Sequence, residues 1–323
     1  MGSDLSGFWN YILKYIQFVS PKIVITFTDN DMVYYTLKDN FKNKIIFIVM
    51  QNGLRGNYDN FESFKNYKAN SKYSLVVDYF LTVSQPISKK YKKYIKAKYI
   101  PIGLFRNNLV KKQKTIYKKR ILFLSSYANS IYEGKFYLNS KKRYADGNLF
   151  FEADKIVINF LIEYSMKFNL DFKICLRSGS NFEKQKNLIY KIFDYNKNLK
   201  FLCPKGKYEN YKELDRSLYI ACVDSAFGYE AYARNCKVGF FTIKSNFLKI
   251  KELNFGWPLK LSKGKFWTNE NRIENFYKLM NNLTYNKNQN KKFRDKIMFY
   301  DPGNSVLIKI LKNFNIKLYN ELK

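Results

Sequence analysis

Short apolar runs rich in β-branched residues alternate with helix-like stretches along most of this chain. Strands separated by helices are typical of parallel sheets, because a parallel pair needs a long crossover connection. Strands are predicted at 22–27, 44–51, 75–84, 98–104, 120–126, 171–179, 199–204, 218–225 and 237–243. Helices are predicted at 31–41, 88–97 and 153–168. We therefore expect an α/β fold with parallel sheets.

The alternating pattern falls into two series, separated by the basic and polar segment 106–119. Two such series predict two Rossmann-like domains with a ligand cleft between them. We place the first domain at 1–110 and the second at 111–270. The segment 271–323 is helical and polar, and it could pack back on the first domain.

The charge balance of the chain is strongly basic. Lysine and arginine number 58 against 26 aspartates and glutamates, which gives a net charge of +32. Such an excess favours polyanionic partners: nucleic acid, anionic lipid or a nucleotide-linked substrate. Abundant Lys, Asn, Ile, Tyr and Phe are also typical of an AT-rich genome, so the charge alone does not identify the partner.

Histidine is absent from the chain. Its absence excludes Ser-His-Asp and Cys-His nucleophile systems and every zinc site that needs histidine. Acid–base chemistry would fall to Asp, Glu, Lys or Tyr. The sequence contains no metal-binding motif and no glycine-rich Walker loop, so we expect neither a metal nor another cofactor.

Cysteine usage and hydropathy indicate where the protein works. The chain has four cysteines without CxxC spacing: Cys175, Cys203, Cys222 and Cys236. We interpret them as small buried hydrophobes in a reducing compartment. No signal peptide and no run of about 18 apolar residues is present, so we expect a cytoplasmic protein. Attachment to the inner membrane face is left open; its candidate segment is 88–98, although a solvated lysine face is the favoured interpretation there.

Polar residues follow five of the predicted strands, where ligands of open parallel sheets bind. These strand exits read "TDND" at 28–31, "QNG" at 51–53, "SS" at 125–126, "RSGS" at 177–180 and "DSAFGYE" at 224–230. Turns prefer such residues in any protein, and helix capping explains any one of them. Five together favour the lining of one site.

The second series carries the sharper set of candidates. Hydroxyls and backbone N–H groups at Ser125–Ser126 suit a phosphate, and Arg177 suits a bidentate bond to phosphate or carboxylate. Gly228 would let the backbone approach a ligand, and the following helix presents its N-terminus to an anion. Glu230 could accept hydrogen bonds from a ribose, or it could simply favour the helix dipole.

The first series supplies carboxylates and amides. A carboxylate directly after the first strand could act as a general base, with an N-terminal helix cap as the alternative. Amides after the second strand are of the kind that bind hydroxyl groups. The candidates are Asp29, Asn30, Asp31, Gln51, Asn52 and Gly53.

Several segments resemble bacterial surface-carbohydrate glycosyltransferases of the GT-B type, in particular the β-Kdo transferases that use CMP-Kdo. They are "ITFTDND", "IVMQNGLRG", "YIPIGLFRNN", "ILFLSS", "DSAFGYEAYARNCKVGFF" and "FGWPLKLSKGKFWTN", in this order over roughly residues 20–270. The resemblance implies a GT-B-like fold with the acceptor on the N-terminal domain and the donor nucleotide on the C-terminal one. Because that first domain begins with a helix, the resemblance leaves two alternatives: an N-terminal strand is missing from this sequence, or the domain is abridged.

The resemblance also implies roles for the candidates. Asp29 would be the catalytic carboxylate, with Asn30, Asp31, Gln51, Asn52 and Gly53 on the acceptor side. The donor side would consist of Ser125, Ser126, Arg177, Ser178, Asp224, Ser225, Gly228, Tyr229 and Glu230. Many relatives place a histidine near the donor phosphate; here Arg177, a lysine or a helix terminus would take its place. Such enzymes usually need no metal.

We therefore expect a glycosyltransferase that moves a sugar, Kdo or a related acidic sugar, from a CMP-linked donor to a lipopolysaccharide or capsule glycan. The partners would be the nucleotide-sugar donor, a lipid-linked or oligosaccharide acceptor and an anionic membrane surface. A glycerol-phosphate-type polymer transferase is the alternative enzyme, but those enzymes usually rely on histidines. A basic nucleic-acid-binding protein is the non-enzymatic alternative; it is disfavoured because the lysines are dispersed and the aromatics lie in apolar runs.

Overall fold

The computed structural model describes residues 7–41, 44–54, 61–70, 74–113, 118–125, 135–138, 143–146, 148–177, 182–193, 199–204, 206, 208–250, 253–259, 261, 264–285 and 290–314. The chain divides into two compact units. Unit 1 consists of Met1–Leu109 and Phe299–Lys323, and unit 2 of Val110–Met298. The expected third segment, 271–323, is thus divided between the units at Met298.

Helices and strands alternate as expected. Up to Leu109 the elements are α1 (Gly7–Val19), β1 (Ile23–Thr26), α2 (Tyr34–Leu37), β2 (Ile46–Met50), α3 (Glu62–Asn70), β3 (Leu75–Thr82), α4 (Gln85–Tyr91), β4 (Ile95–Pro101) and α5 (Phe105–Leu109). From Val110 they are β5 (Lys118–Leu124), β6 (Lys135–Leu138), β7 (Arg143–Asp146), α6 (Asn148–Lys167), β8 (Asp171–Cys175), α7 (Phe182–Ile192), β9 (Phe201–Leu202), α8 (Glu209–Arg216), β10 (Ser217–Cys222), α9 (Ala226–Ala233), β11 (Val238–Phe241), α10 (Lys244–Leu248), β12 (Trp267–Thr268), α11 (Ile273–Tyr285), α12 (Lys291–Ile297) and α13 (Ser305–Lys312). Short 3-10 helices cover Lys38–Phe41 and Pro302–Asn304.

Unit 1 contains a parallel sheet in the order β1-β2-β3-β4. Its central strand β2 is buried over four of its five residues, which explains its continuous apolar sequence. One face of the sheet carries Ile48, Met50 and Leu81, and α13 packs Leu307 and Ile310 against them. The last described helix of the chain therefore completes the core of unit 1.

Side-chain amides bind the segment of unit 1 that begins at Phe299. Asn108 donates to the Ile102 carbonyl at 2.7 Å and to Asn304 Oδ1 at 3.1 Å, and its own Oδ1 accepts from the Asp301 N–H at 3.0 Å. Gly103 has a φ of +75°, and a Cβ there would lie 2.1 Å from the carbonyl oxygen of Phe299. Only glycine fits this close approach.

Unit 2 contains a parallel sheet in the order β9-β8-β5-β10-β11-β12. Numbered by their appearance in the chain, these strands run 3-2-1-4-5-6, which is the doubly wound Rossmann order. The order reverses between β5 and β10. The carboxyl ends of these two strands therefore form the topological switch point of unit 2, where such sheets bind ligands.

Apolar side chains cover both faces of this sheet. Residues of β5 illustrate the division, since Ile121 and Phe123 belong to one cluster and Leu122 and Leu124 to the other. Two arginines are buried beside the second cluster. Arg120 pairs with Glu213 at 2.6 Å, and Arg234 binds Asp215 through Nε at 3.0 Å and through Nη2 at 2.5 Å.

The sequence prediction was wrong at residues 88–97, and it missed the strands β6, β7 and β12. Residues 88–97 were expected to form one helix, but α4 ends at Tyr91 and β4 begins at Ile95. The strand β12 was missed because it has only two residues. Three of the four cysteines are buried, as expected, whereas Cys203 is partly exposed. Burial raises the pKa of the Cys175 and Cys236 thiols to about 12.

Candidate functional site

Three predicted donor-side residues meet at the switch point of unit 2. Ser125 directly follows β5 and is 8% exposed, and its N–H donates to the Cys175 carbonyl at 3.1 Å. Asp224 and Ser225 follow β10, which pairs with β5 along its length. The parallel register brings these exits to the same end of two adjacent strands. The structure therefore assembles this part of the predicted set.

A buried lysine holds the Asp224 carboxylate in position. Lys244 Nζ lies 3.0 Å from Asp224 Oδ1 and 3.8 Å from Asp154 Oδ1. The side chains of Lys244 and Asp154 are almost fully buried, whereas that of Asp224 is 21% exposed. Lys244 begins α10 directly after β11, and Asp154 lies on α6. This cluster presents a fixed, partly exposed carboxylate at the open end of the sheet.

The protonated state of Lys244 is stabilised despite its burial. Burial alone would lower the pKa of this ammonium group, but attraction by Asp154 and Asp224 and the hydrogen bonds that they accept outweigh it. The pKa of Lys244 is therefore raised above its usual value. Its charge neutralises one of the two carboxylates, so the cluster retains a negative charge at the strand end when both acids are ionised.

The helix α9 begins at the switch point. Ser225 occupies its N-cap with extended backbone angles, yet the Ser225 side chain makes no capping hydrogen bond. The routine capping explanation for this serine therefore fails. An eight-residue helix directs N–H groups and the positive end of its dipole toward its N-terminus, which is suited to an anion.

Gly228 has a packing role that the sequence did not suggest. It is buried on the side of α9 that faces the sheet, where a Cβ would lie 2.3 Å from Cys222 Sγ and 3.3 Å from a ring carbon of Phe240. The missing side chain lets α9 approach β10. Close approach of the Gly228 backbone to a ligand, which we expected, stays a prediction.

The predicted residues Tyr229 and Glu230 contact different parts of unit 2. Tyr229 stacks on Phe255 at 5.6 Å between ring centroids, and its hydroxyl accepts from the Gly256 N–H at 3.4 Å. It therefore contacts the loop 253–259. Glu230 is partly exposed, and its Oε2 accepts a 2.5 Å hydrogen bond from the Tyr211 hydroxyl of α8. Tyr211 thus orients this carboxylate.

Arg177 lies at the exit of β8, the strand next to β5, and is exposed. Its backbone is held by Gln185 of α7, whose amide accepts from the Arg177 N–H and donates to its carbonyl, both at 3.0 Å. Gln185 itself is fully buried. The predicted residues Ser126 and Ser178 lie outside the described residues.

In unit 1 the predicted base is enclosed by tyrosines. Asp29 is fully buried, and its Oδ2 accepts from the Tyr91 hydroxyl at 2.9 Å. Its carbonyl accepts from the Tyr35 hydroxyl at 2.7 Å. The N-cap of α2 is Val33, without a side-chain capping bond; Asp31 Oδ1 accepts from the Val33 N–H at 3.1 Å within the turn before the helix. A catalytic role of Asp29 stays a prediction.

The amides of unit 1 differ in their surroundings. Gln51 is buried and bonded to backbone on both sides: Oε1 accepts from the Val83 N–H at 3.1 Å, and Nε2 donates to the Gly53 carbonyl at 2.8 Å. These bonds join the ends of β2 and β3, so its amide serves the fold. Asn30 and Asn52 are exposed, and a Cβ on Gly53 would meet no atom within 4 Å.

Sequence reasoning missed several residues that build the unit 2 site. Lys244 directly follows the predicted strand 237–243, so its position after a strand was visible in the sequence. Asn269 follows β12, which was not predicted. Its Oδ1 accepts from the Phe255 N–H at 3.2 Å and from Thr242 Oγ1 at 2.5 Å. Asp154 and Tyr211 sit within amphipathic helices, where no local signal distinguishes them.

Comparison with known proteins gives the family. One family model, described as "putative O-antigen biosynthesis protein", matches residues 12–315. The chain belongs to this family. The comparison with curated proteins found no match.

Several solved structures share the fold at low sequence identity. A co-structure of S. aureus MnaA with UDP matches with a TM-score of 0.53 and 12% identity, covering 96% of this chain and 79% of that one. The UDP-GlcNAc 2-epimerase of Methanocaldococcus jannaschii in complex with UDP-GlcNAc and UDP matches with a TM-score of 0.52 and 13% identity, covering 94% and 79%. The expected GT-B-like α/β fold with two Rossmann-like domains is confirmed.

These findings bear on the other expectations to different extents. A role in surface-glycan biosynthesis agrees with the family description. Resemblance to β-Kdo transferases in particular is not confirmed. Among the described residues, no helix is long and apolar enough to cross a membrane.

Proposed function

We propose that this protein is a glycosyltransferase of O-antigen assembly that binds a nucleotide-linked sugar at the switch point of unit 2. The observation that carries the proposal is the placement of Ser125, Asp224, Ser225 and the α9 N-terminus at the carboxyl ends of β5 and β10, between which the strand order reverses. Open parallel sheets bind ligands at this position. The family description supplies the pathway class.

The chemistry of the site suits the parts of a nucleotide differently. The α9 N-terminus and the Arg177 guanidinium would take the phosphate, since both offer N–H donors with positive charge. Asp224 and Glu230 would repel a phosphate. Their carboxylates suit hydroxyl donors such as those of a ribose or the sugar. Lys244 and Tyr211 would keep these two carboxylates oriented before the ligand arrives.

The donor that we propose is a CMP-linked acidic sugar, Kdo or a relative. The bond between the sugar's C2 and the phosphate oxygen would break, and CMP would leave with the bonding electrons. The acceptor hydroxyl oxygen would bond to C2, and its proton would pass to a carboxylate, for which Asp29 is our candidate. Arg177 and the helix terminus would stabilise the leaving phosphate without a metal.

A UDP-linked sugar is the second candidate donor. The solved structures that share this fold include proteins bound to UDP and UDP-GlcNAc. The same arrangement of helix N-terminus, arginine and carboxylates would serve either nucleotide, since the ribose is common to both.

Nucleotide binding is measured by thermal shift and calorimetry with CMP, CDP, UDP, GDP and TDP, with and without EDTA. A ligand at 100 times its Kd stabilises the native state by about 2.7 kcal/mol, which is readily detected. We expect a response to CMP that EDTA leaves unchanged. Arg177→Met should weaken it at least about tenfold, because it removes a charged phosphate contact worth about 1.5–3 kcal/mol.

The matched control is Lys200→Met. Lys200 is an exposed cation at the opposite, amino end of the same sheet, with its side chain 64% exposed. The Lys200→Met variant should bind nucleotides as the wild type does. A response to UDP alone would select the second donor. No response to any nucleotide, or equal losses in Arg177→Met and Lys200→Met, would refute the site.

A further inference from the structure

The helix α1 presents an exposed row of aromatic side chains. Phe8, Tyr11, Tyr15 and Phe18, here called the aromatic stripe, are exposed by 63%, 63%, 54% and 88%. Their spacing of three, four and three residues places them on one face of the helix. Within α1 only Ile16 is buried. Large aromatic side chains in a row on a helix usually face a partner.

This part of unit 1 concentrates exposed apolar surface. Of the fourteen large hydrophobic side chains that are exposed among the described residues, seven lie between Phe8 and Phe27. The segment 88–98, our candidate for membrane attachment, differs: Tyr91 and Ile95 are buried, and only its lysines are exposed. With Tyr91 and Ile95 buried, this segment lacks the exposed apolar row that α1 presents.

The charges around the stripe favour an anionic partner. The helix α1 contains no acidic residue and one lysine, Lys14, which is exposed and lies one turn from both Tyr11 and Phe18. Unit 1 as a whole has 20 basic and 9 acidic residues, a net charge of +11. Pairing two copies through this face would bring like charges together, whereas anionic lipid headgroups would neutralise them.

We infer that α1 docks this protein on an anionic lipid surface through the aromatic stripe. The tyrosine hydroxyls would remain at headgroup level while the rings of Phe8 and Phe18 enter the boundary of the acyl chains. Lys14 would contact lipid phosphates. The helix would lie on the membrane and not cross it, because its 13 residues are too few for a span.

Flotation tests the inference with vesicles of phosphatidylcholine alone and of equal parts phosphatidylcholine and phosphatidylglycerol. The wild type should float with the anionic vesicles, and binding should weaken with salt. The double variant Tyr11→Ser/Phe18→Ser should lose at least about tenfold in partitioning, and Lys14→Glu should also weaken binding. Tyr285→Ser is the matched control, since Tyr285 is 83% exposed on α11 of unit 2; it should bind like the wild type.

Folding of each variant is verified by its melting temperature, which should not change because the replaced side chains are exposed. Failure of the wild type to float with anionic vesicles would overturn the inference. So would unchanged flotation of the double variant, or equal binding to both vesicle types. A dimer in solution that only the double variant converts to a monomer, without vesicle binding, would show that a second copy covers the stripe and would also overturn it.

Discussion

Replacing Gly228 by alanine tests how closely α9 packs on the sheet. The added Cβ would lie 2.3 Å from Cys222 Sγ, well inside van der Waals contact. The substitution favours the helix by about 1 kcal/mol through propensity, whereas overpacking costs about 1–3 kcal/mol. The overlap is more than an ångström and both atoms belong to buried elements, so we expect the upper value. The net destabilisation should be about 2 kcal/mol.

The double variant Gly228→Ala/Cys222→Ala isolates this clash. Without the sulfur, the new methyl group would have its nearest neighbours at 3.3 Å from Phe240 and 3.4 Å from the residue 222 Cβ. Those separations are tolerable with a small shift. The two substitutions should therefore be coupled, and the double variant should be at least about 1 kcal/mol more stable than the sum of the single effects.

Denaturation in urea, followed by circular dichroism of the full chain, measures these differences. The corresponding fall in melting temperature for Gly228→Ala is about 4–8 °C. Additivity within about 0.5 kcal/mol, or stabilisation by Gly228→Ala alone, would refute the packing argument. Nucleotide affinity of the double variant is a second readout and should not change, because the added methyl group faces the sheet.

Other substitutions probe the buried charges and the predicted base. Lys244→Met should destabilise by about 3–5 kcal/mol, because it leaves two carboxylates together without their cation. The pKa of Lys244 in the folded protein is raised above its ordinary 10.5, so this contribution to stability is fully present below pH 10.5. It is lost only as the pH rises through the pKa of the folded state. Denaturation curves in which the wild-type advantage already disappears between pH 7 and 9 would contradict this. Arg234→Met should destabilise the protein by about 3–5 kcal/mol, because it leaves the buried Asp215 carboxylate without its cation. Arg234→Lys should recover only part of that stability, because lysine cannot donate two parallel bonds. Equal stability of Arg234→Lys and the wild type would argue against the bidentate geometry. Asp29→Asn should abolish donor-dependent turnover but spare nucleotide binding to unit 2. Tyr91→Phe removes the hydroxyl that donates to Asp29, and it should reduce turnover less. A fully active Asp29→Asn protein would exclude the role of Asp29 as a base.

Much of the fold was predictable because its signals are local. The strands β2, β5 and β10 contain the largely buried apolar runs IFIVM, ILFL and LYIAC, which are typical of parallel strands covered on both faces. The alternation with helices then required parallel sheets. Residues 88–97 misled the prediction because their lysines resembled a helix face, whereas the chain from Ile95 onward pairs with β3 as a strand.

The candidate site was predictable only in part. Ser125, Asp224 and Ser225 could be found because strand exits of parallel sheets lie at one edge whatever the tertiary details. Their partners could not be found this way. Lys244 and Asp154 are far apart in the chain, and only the packing of α6 and α10 brings both next to Asp224. The orientation of the Gln51 side chain likewise depends on tertiary structure, because its Oε1 accepts from the backbone N–H of Val83, which follows the neighbouring strand β3.

Local periodicity and composition were thus sufficient to predict the α/β class, the strand exits and the absence of histidine chemistry. The other features depend on contacts between distant parts of the chain. The Rossmann order of unit 2 depends on which strands pair, and the burial of Asp29 depends on tyrosines from two helices. Whether an aromatic residue fills the core, as Tyr91 does, or faces solvent, as Phe18 does, is set by contacts between elements distant in the chain, which local periodicity cannot specify.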